Sequence, residues 1–355
     1  MPGQKNHHYV PQFYLRNFST DENQVPIRMY HLAQGKFAVT SIENIASKKY
    51  LYGEDNEIED HLAQLEGEVS NIFKQWMHHI VPPWSYTEEL TKVKMFVLVQ
   101  IFRTIKAGDD FDQASTEGMR AIWKAMGNAP EEIDDLHIKH ENPTLLTLTS
   151  LWDKFPLMDF LAVKTIVNNS NTPFITSDSP VIRYNQWMES KKILLGATGI
   201  ANKGLQLFYP ISPRLMICFY DNKVYKCGQK NENAIPITSA GEIRQLNALQ
   251  YISSHKSLFF NNDVSQEYIL DLVRQFEHKK NAGGPSTTIH KNGHPAFGNN
   301  PNFALNSFTE PHINLQLSFF KILKKAKDIV LKNGLPIVRD PAFNELKYLQ
   351  ASNLI

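Results

Sequence analysis

The segments FLAVKTIVNN (160–169), PFITSD (173–178), PVIRYN (180–185), LQLFYPI (205–211), LMICFYD (215–221) and NKVYKCG (222–228) decide the fold. Each is short, rich in β-branched and aromatic residues, and bounded by Pro, Asn or Gly. That is the pattern of strands separated by turns. A helix over 239–253 follows, with Thr238 or Ser239 as its cap.

Upstream of these strands, residues 54–160 read as helical. Ile58, Leu62, Leu65, Val69, Ile72, Phe73 and Trp76 recur every three or four residues, which marks one helical stripe. Pro82-Pro83 ends that helix. A second helix starts near Thr87 and runs through KVKMFVLVQIFRTIKAG (92–108), apolar nearly all round and therefore buried. Further helices are predicted near 112–127 and 143–154. In the opening 52 residues, Pro11 introduces a short helix, and VPIRMYHL (25–32) with KFAVTSI (36–42) form a hairpin around Gln34-Gly35.

Downstream, the pattern predicts a helix over 264–278, a polar loop over 278–303, a strand at HINLQLSF (312–319) and a basic helix over 321–332. The tail 336–355 reads as irregular. The fold class is thus α+β, with a helical layer packed against a mixed or antiparallel sheet. The division expected is a domain over 1–262 and a C-terminal helical extension, 263–355, packed on it.

Composition narrows the function classes. Of 355 residues, 42 % are hydrophobic, which excludes a wholly disordered chain. No apolar run reaches the roughly 18 residues of a membrane helix, and the N-terminus lacks the pattern of a signal peptide. A cytoplasmic protein without a membrane partner is expected. The net charge of +1 gives no global footprint for nucleic acid. Cys218 and Cys227 are too few for a disulfide framework or a four-thiolate zinc site, and no His lies in HExxH spacing. No nucleotide loop of the GxxxxGK[ST] or GxGxxG type is present.

The opening HHYVPQFYLRNF (7–18) resembles the signature of the domain of unknown function 4238 family. The resemblance continues through IEDHLAQLEGE (58–68), QIFRT (100–104), ITSDSPV (175–181), YPISPRL (209–215) and Leu246-Asn247-Ala248, and so covers residues 5–262. It implies the domain extent and points at residues, without a settled activity. A role in bacterial defence against phage or in a toxin system is the setting that this kind of family suggests.

Candidate chemistry rests on polar residues in apolar settings. His8, anchored by Tyr9-Val10-Pro11, is the expected general acid or base, because an imidazole titrates near neutrality. A helix-capping imidazole is the plainer alternative. Asp178 breaks the apolar run PFIT at a sheet rim, where it serves either as a catalytic carboxylate or in an Asx turn. Glu66 and Glu59 lie seven apart on one helix face and could help hold a divalent cation such as Mg²⁺; a solvated face is the alternative. Arg103 lies in the most apolar helix with Gln100 and Thr104. It must pair with a carboxylate, Glu66 or Asp178, or else bind a phosphate. Asn247, Gln12 and Gln100 complete the expected substrate-binding set.

The function expected is therefore a nuclease-like enzyme acting on a phosphodiester. His8, Asp178 and Glu66 would be catalytic, with nucleic acid as partner. Two other readings stand beside it. One is a binding module whose polar motif residues form a structural network, with a protein partner at the C-terminal region. The other is a hydrolase or transferase acting on a nucleotide or small molecule. Structure separates them: catalytic groups should converge on an open pocket, whereas a scaffold should be sealed and satisfied.

Overall fold

The computed structural model describes residues 5–54, 56–83, 87–127, 130–280, 284–291, 302–309, 312–331, 336–341 and 344. Strand β1 (Asn6–His8) and helix α1 (Gln12–Arg16) open the chain, followed by the hairpin β2 (Pro26–His31) and β3 (Lys36–Ser41) and by β4 (Ser47–Lys49). The helical layer comprises α2 (Glu57–His79), α3 (Glu88–Phe102), α4 (Ile105–Met126), α5 (Pro143–Thr149) and α6 (Phe155–Met158). Strands β5 (Ala162–Asn168), β6 (Thr176–Ser177) and β7 (Ile182–Tyr184) follow, then α7 (Gln186–Ser190). Next come β8 (Gln206–Pro210), β9 (Leu215–Tyr220), β10 (Tyr225–Cys227) and β11 (Ala234–Ile237). The chain continues through α8 (Ala240–Ser253), β12 (Ser257–Phe260), α9 (Gln266–Lys280), β13 (Gly284–Lys291) and β14 (Asn302–Thr309), then β15 (Phe320–Ile322) and α10 (Lys324–Lys327).

The principal sheet has the order β11-β5-β9-β8-β7, with β11 parallel to β5 and the other pairs antiparallel. A second sheet, β3-β2-β12-β6, joins the N-terminal hairpin to strands from the middle of the chain. The architecture is α+β, as the segregation of helical and strand patterns predicts.

Strand periodicity explains the layering. Leu215, Ile217 and Phe219 of β9 enter one core, whereas Met216, Cys218 and Tyr220 enter another. Successive side chains point to opposite faces, so a strand apolar at every position is covered on both. The first face packs on the helical layer through Phe73, Trp76, Phe96 and Val97. The second packs on α7, α8 and the C-terminal segment through Trp187, Leu246, Leu249 and Phe320.

Two buried polar side chains tie these layers together. Trp76 donates its indole N–H to Thr165 Oγ1 at 2.6 Å, tying α2 to β5. Tyr14 stacks on Tyr209 and its hydroxyl lies 2.7 Å from the Pro210 carbonyl, locking α1 onto β8.

Five sequence expectations are corrected. The apolar helix does not run through to Gly108: α3 stops at Phe102 and α4 restarts at Ile105, because Thr104 caps α4 by accepting the Ala107 N–H. The helix predicted near 112–127 is the continuation of α4. The loop predicted over 278–303 holds the end of α9, all of β13 and the start of β14, which pairs antiparallel with β13, while its centre, 292–301, lies outside the described residues. Residues 312–319 form no strand; pairing begins at Phe320, where β15 joins β10. The basic helix reduces to α10. Its Ala326 is buried, yet Val330 is 85 % exposed, so no amphipathic face runs its predicted length.

The C-terminal segment is bonded to the rest. Trp187 donates to the Ala326 carbonyl at 2.9 Å, and the buried Arg339 donates to the carbonyls of Leu157 and Ile200.

Candidate functional site

The N-terminal signature makes a buried network. Antiparallel pairing of β1 with β4 sets His7 opposite Lys48 and His8 opposite Ser47. Pro11, at φ −61°, then directs the chain into α1. His7 accepts the Tyr52 N–H at Nδ1 (3.2 Å), stacks on the Tyr52 ring, and shares a 3.1 Å contact between its Nε2 and Asn56 Oδ1. His8 Nε2 donates to the Glu43 carbonyl at 3.3 Å, with the Gln12 amide 3.4 Å away. Burial lowers the His8 pKa, opposed by the Glu43 carbonyl and the Glu66 charge, so its imidazole is neutral at pH 7.

Arg103 is the hub of this network. It is 1 % exposed and sits at the break between α3 and α4. Nη1 donates to Glu66 Oε1 at 2.7 Å, Nε to the Tyr52 hydroxyl at 3.3 Å, and Nη2 to the His8 carbonyl. Burial alone would depress its pKa; Tyr52 and Glu66 outweigh that and hold it raised. Of the two carboxylates the sequence offered as partners, the structure uses Glu66. Burial raises the pKa of Glu59 beside it, with Arg103 and His7 acting against the shift.

Asp178 stands elsewhere and is equally committed. Its carboxylate, 2 % exposed, accepts the successive N–H groups of His255 (2.8 Å), Lys256 (2.6 Å) and Ser257 (3.1 Å). Burial raises its pKa, and the His255 and Lys256 amides pull it back down. It makes no hydrogen bond or ion pair with His8, Glu66 or Arg103. Asn247 accepts the Ile175 N–H and donates to the Pro173 carbonyl and the Tyr268 hydroxyl, which uses its whole amide.

One concavity among the described residues is a cleft of about 680 Å³. Its walls are the end of α3 and the start of α4, the free edge strand β7, the turn between α8 and β12, and residues of β13 and β14. Of the seven expected site residues, Gln100 alone lines it. Gln100 donates to the Tyr9 carbonyl at 2.8 Å, while its buried Oε1 has no hydrogen-bond partner among the described residues.

The other polar groups of the cleft were not singled out from sequence. Arg183, at the centre of β7, is half-buried, and its guanidinium has no ion pair or hydrogen bond among the described residues. Glu189 Oε1 accepts the Tyr184 hydroxyl at 2.6 Å and the Asn314 N–H at 2.7 Å, and lies 3.7 Å from His312 Nδ1. His312 Nε2 is buried without a hydrogen-bond partner among the described residues. Burial lowers the His312 pKa, Glu189 acts against that, and Lys279 adds to it. His255 Nε2 lies 2.9 Å from Asp109 Oδ2. Among the described residues, no three metal-ligating side chains cluster.

Lys280 closes one end of the cleft. Its ammonium donates to the carbonyls of Tyr251, Ile252 and Ser254, the last turn of α8, where cations are favoured. Burial nevertheless pushes its pKa down to about 8, against the pull of Asp178. Between pH 8 and its ordinary value of 10.5, the unfolded chain holds a proton that the folded one has released. Stability therefore rises with pH across that window. Wild type should gain on the order of 2 kcal/mol relative to Lys280→Met between those limits. Urea denaturation at pH 8 and 10.5 checks this; a constant difference between the two proteins refutes it.

No curated protein and no solved structure gives a significant match. The model of the family described as "Protein of unknown function (DUF4238)" matches residues 6–264, which takes in the buried signature network, the Asp178 anchor and Arg183. The chain belongs to the DUF4238 family.

Proposed function

We propose that the protein is an enzyme that hydrolyses a phosphodiester in the cleft between the helical layer and β7. The observation that carries this reading is Arg183. An Arg in a concave site without a partner presents a fork of donors suited to a phosphate. His312, which lines the same cleft, is the candidate base. Burial favours its neutral form, its Nε2 has no hydrogen-bond partner among the described residues, and Glu189 near Nδ1 would stabilise the imidazolium formed in the reaction. Water adds to phosphorus as its proton passes to Nε2. The P–O bond to the leaving alcohol then breaks, and the leaving oxygen takes the electron pair and the proton back.

On this reading the chemistry would lie at Arg183 and His312 rather than at His8, Glu66 and Asp178, which we read as the frame behind the cleft. A second reading, a binding module without catalysis, is favoured by how fully Arg103 and Asp178 are satisfied. Two buried free thiols fit a reducing, cytoplasmic setting. Among the described residues, no helix is long and apolar enough to cross a membrane.

The test is a cleavage panel with RNA, single-stranded DNA, duplex DNA and dinucleotides, each with Mg²⁺, Mn²⁺ or chelator. His312→Ala should lower the rate about 100-fold. The wild-type rate should persist below pH 6.5 before falling as His312 gains its proton. Cleavage that is unchanged in His312→Ala but lost in His8→Ala would return the chemistry to His8. No cleavage in any lane would favour the binding module.

A further inference from the structure

We infer that the cleft takes a small phosphodiester with a single negative charge, of the size of a dinucleoside monophosphate, and not a nucleic-acid strand. This rests on the phosphodiester reading above and names its substrate class.

Charge is the first argument. Three cations line the cleft: Lys106, Arg183 and Lys280. Lys106 is paired with Asp110. Lys280 is engaged by the carbonyls that end α8. Among the described cleft residues, Arg183 is the one cation left to meet a phosphate. Proteins that track a strand neutralise several phosphates along a basic groove. This cleft instead sets Asp110 and Glu189 among its cations, and the whole chain carries a net charge of +1. A second or third phosphate would meet no free cation among the described residues of the cleft.

Size and polarity are the second argument. A volume of about 680 Å³ lies in the range of small-molecule sites. The two long walls differ in character. The helical wall offers Ile101, Phe102 and Phe111, whereas the opposite wall offers Arg183 of β7 and Glu189 of α7, with His312 close to Glu189. A ligand matching both has one anionic centre and flat, largely apolar groups attached to it. A phosphodiester joining two nucleosides has that form, because the bases stack on aromatic faces while the phosphate meets the guanidinium.

Isothermal titration of the full chain tests this with three probes: adenylyl-(3′,5′)-adenosine, a twelve-residue oligoadenylate and inorganic phosphate. Wild type is compared with Arg183→Met and Arg183→Lys. Folding of each variant is checked by its thermal melt. The dinucleotide should bind one to one, and Arg183→Met should weaken it at least tenfold, about the value of a lost charged hydrogen bond. The oligomer should bind within a few-fold of the dinucleotide, with a salt slope of about one charge. A 100-fold tighter oligomer with a slope of several charges would overturn the size inference and leave the phosphodiester reading standing. No binding of any probe, or binding indifferent to both Arg183 variants, would overturn both.

Discussion

Arg103→Met should lower the free energy of unfolding by about 3–5 kcal/mol, the usual cost of removing one partner from a buried ion pair. The guanidinium joins three parts of the chain at once: Glu66 on α2, Tyr52 before it, and the His8 carbonyl on β1. Met fills the volume and supplies no donor. The His8 carbonyl would then be buried without that partner, and the Glu66 carboxylate would face an apolar side chain. Arg103→Lys should recover little, because one ammonium cannot reach three acceptors spread around a planar fork. Glu66→Gln should cost less, about 1–2 kcal/mol, since the Glu66 side chain is 24 % exposed and water already solvates part of it. Urea denaturation reads all three variants. A midpoint for Arg103→Met equal to that of wild type would show that the network is dispensable.

Asp178→Ala should cost about 3–4 kcal/mol and should loosen the cleft as well as the core. Three successive amides, those of His255, Lys256 and Ser257, point at one carboxylate. Without it, three buried or half-buried N–H groups lose a charge-assisted partner together. The turn that carries His255 into the cleft is held by those bonds, so hydrogen exchange at residues 255–257 should accelerate along with the loss of stability. Asp178→Asn keeps one acceptor oxygen and should fall between. Unchanged exchange at these amides would mean that β12 pairing alone holds the turn.

Strand and helix patterning was largely readable, because burial leaves a period. The unbroken apolar run in LMICFYD, the stripe of α2 and the Ser239 cap of α8 all follow from local rules. The break at Arg103–Thr104 did not show, because apolar residues continue on both sides of it and Thr104 acts as a cap only through its own side chain. The pair β13–β14 was hidden by the Gly, Pro and Asn around it. The site was harder still. His8, Arg103 and Asp178 stood out as polar residues in apolar surroundings, and that description suits a buried network as well as an active centre. Arg183, Glu189, His255 and His312 come from four separate segments, each ordinary where it stands. Only the folded chain brings them to one cleft, and His312 lies in a segment whose pattern suggested a strand.

The second sheet has a consequence for how the chain is made. Its central pair joins β2, near the start, to β12, with Met29 opposite Phe259. During vectorial synthesis the N-terminal hairpin leaves the ribosome with one edge open, and it stays so while the helical layer and the whole principal sheet emerge. The family match ends at residue 264, just after the strand that closes that edge. The boundary thus falls where a nascent chain first has every strand of its second sheet. A ribosome stalled before β12 would hold an unpaired hairpin, a natural client for a chaperone.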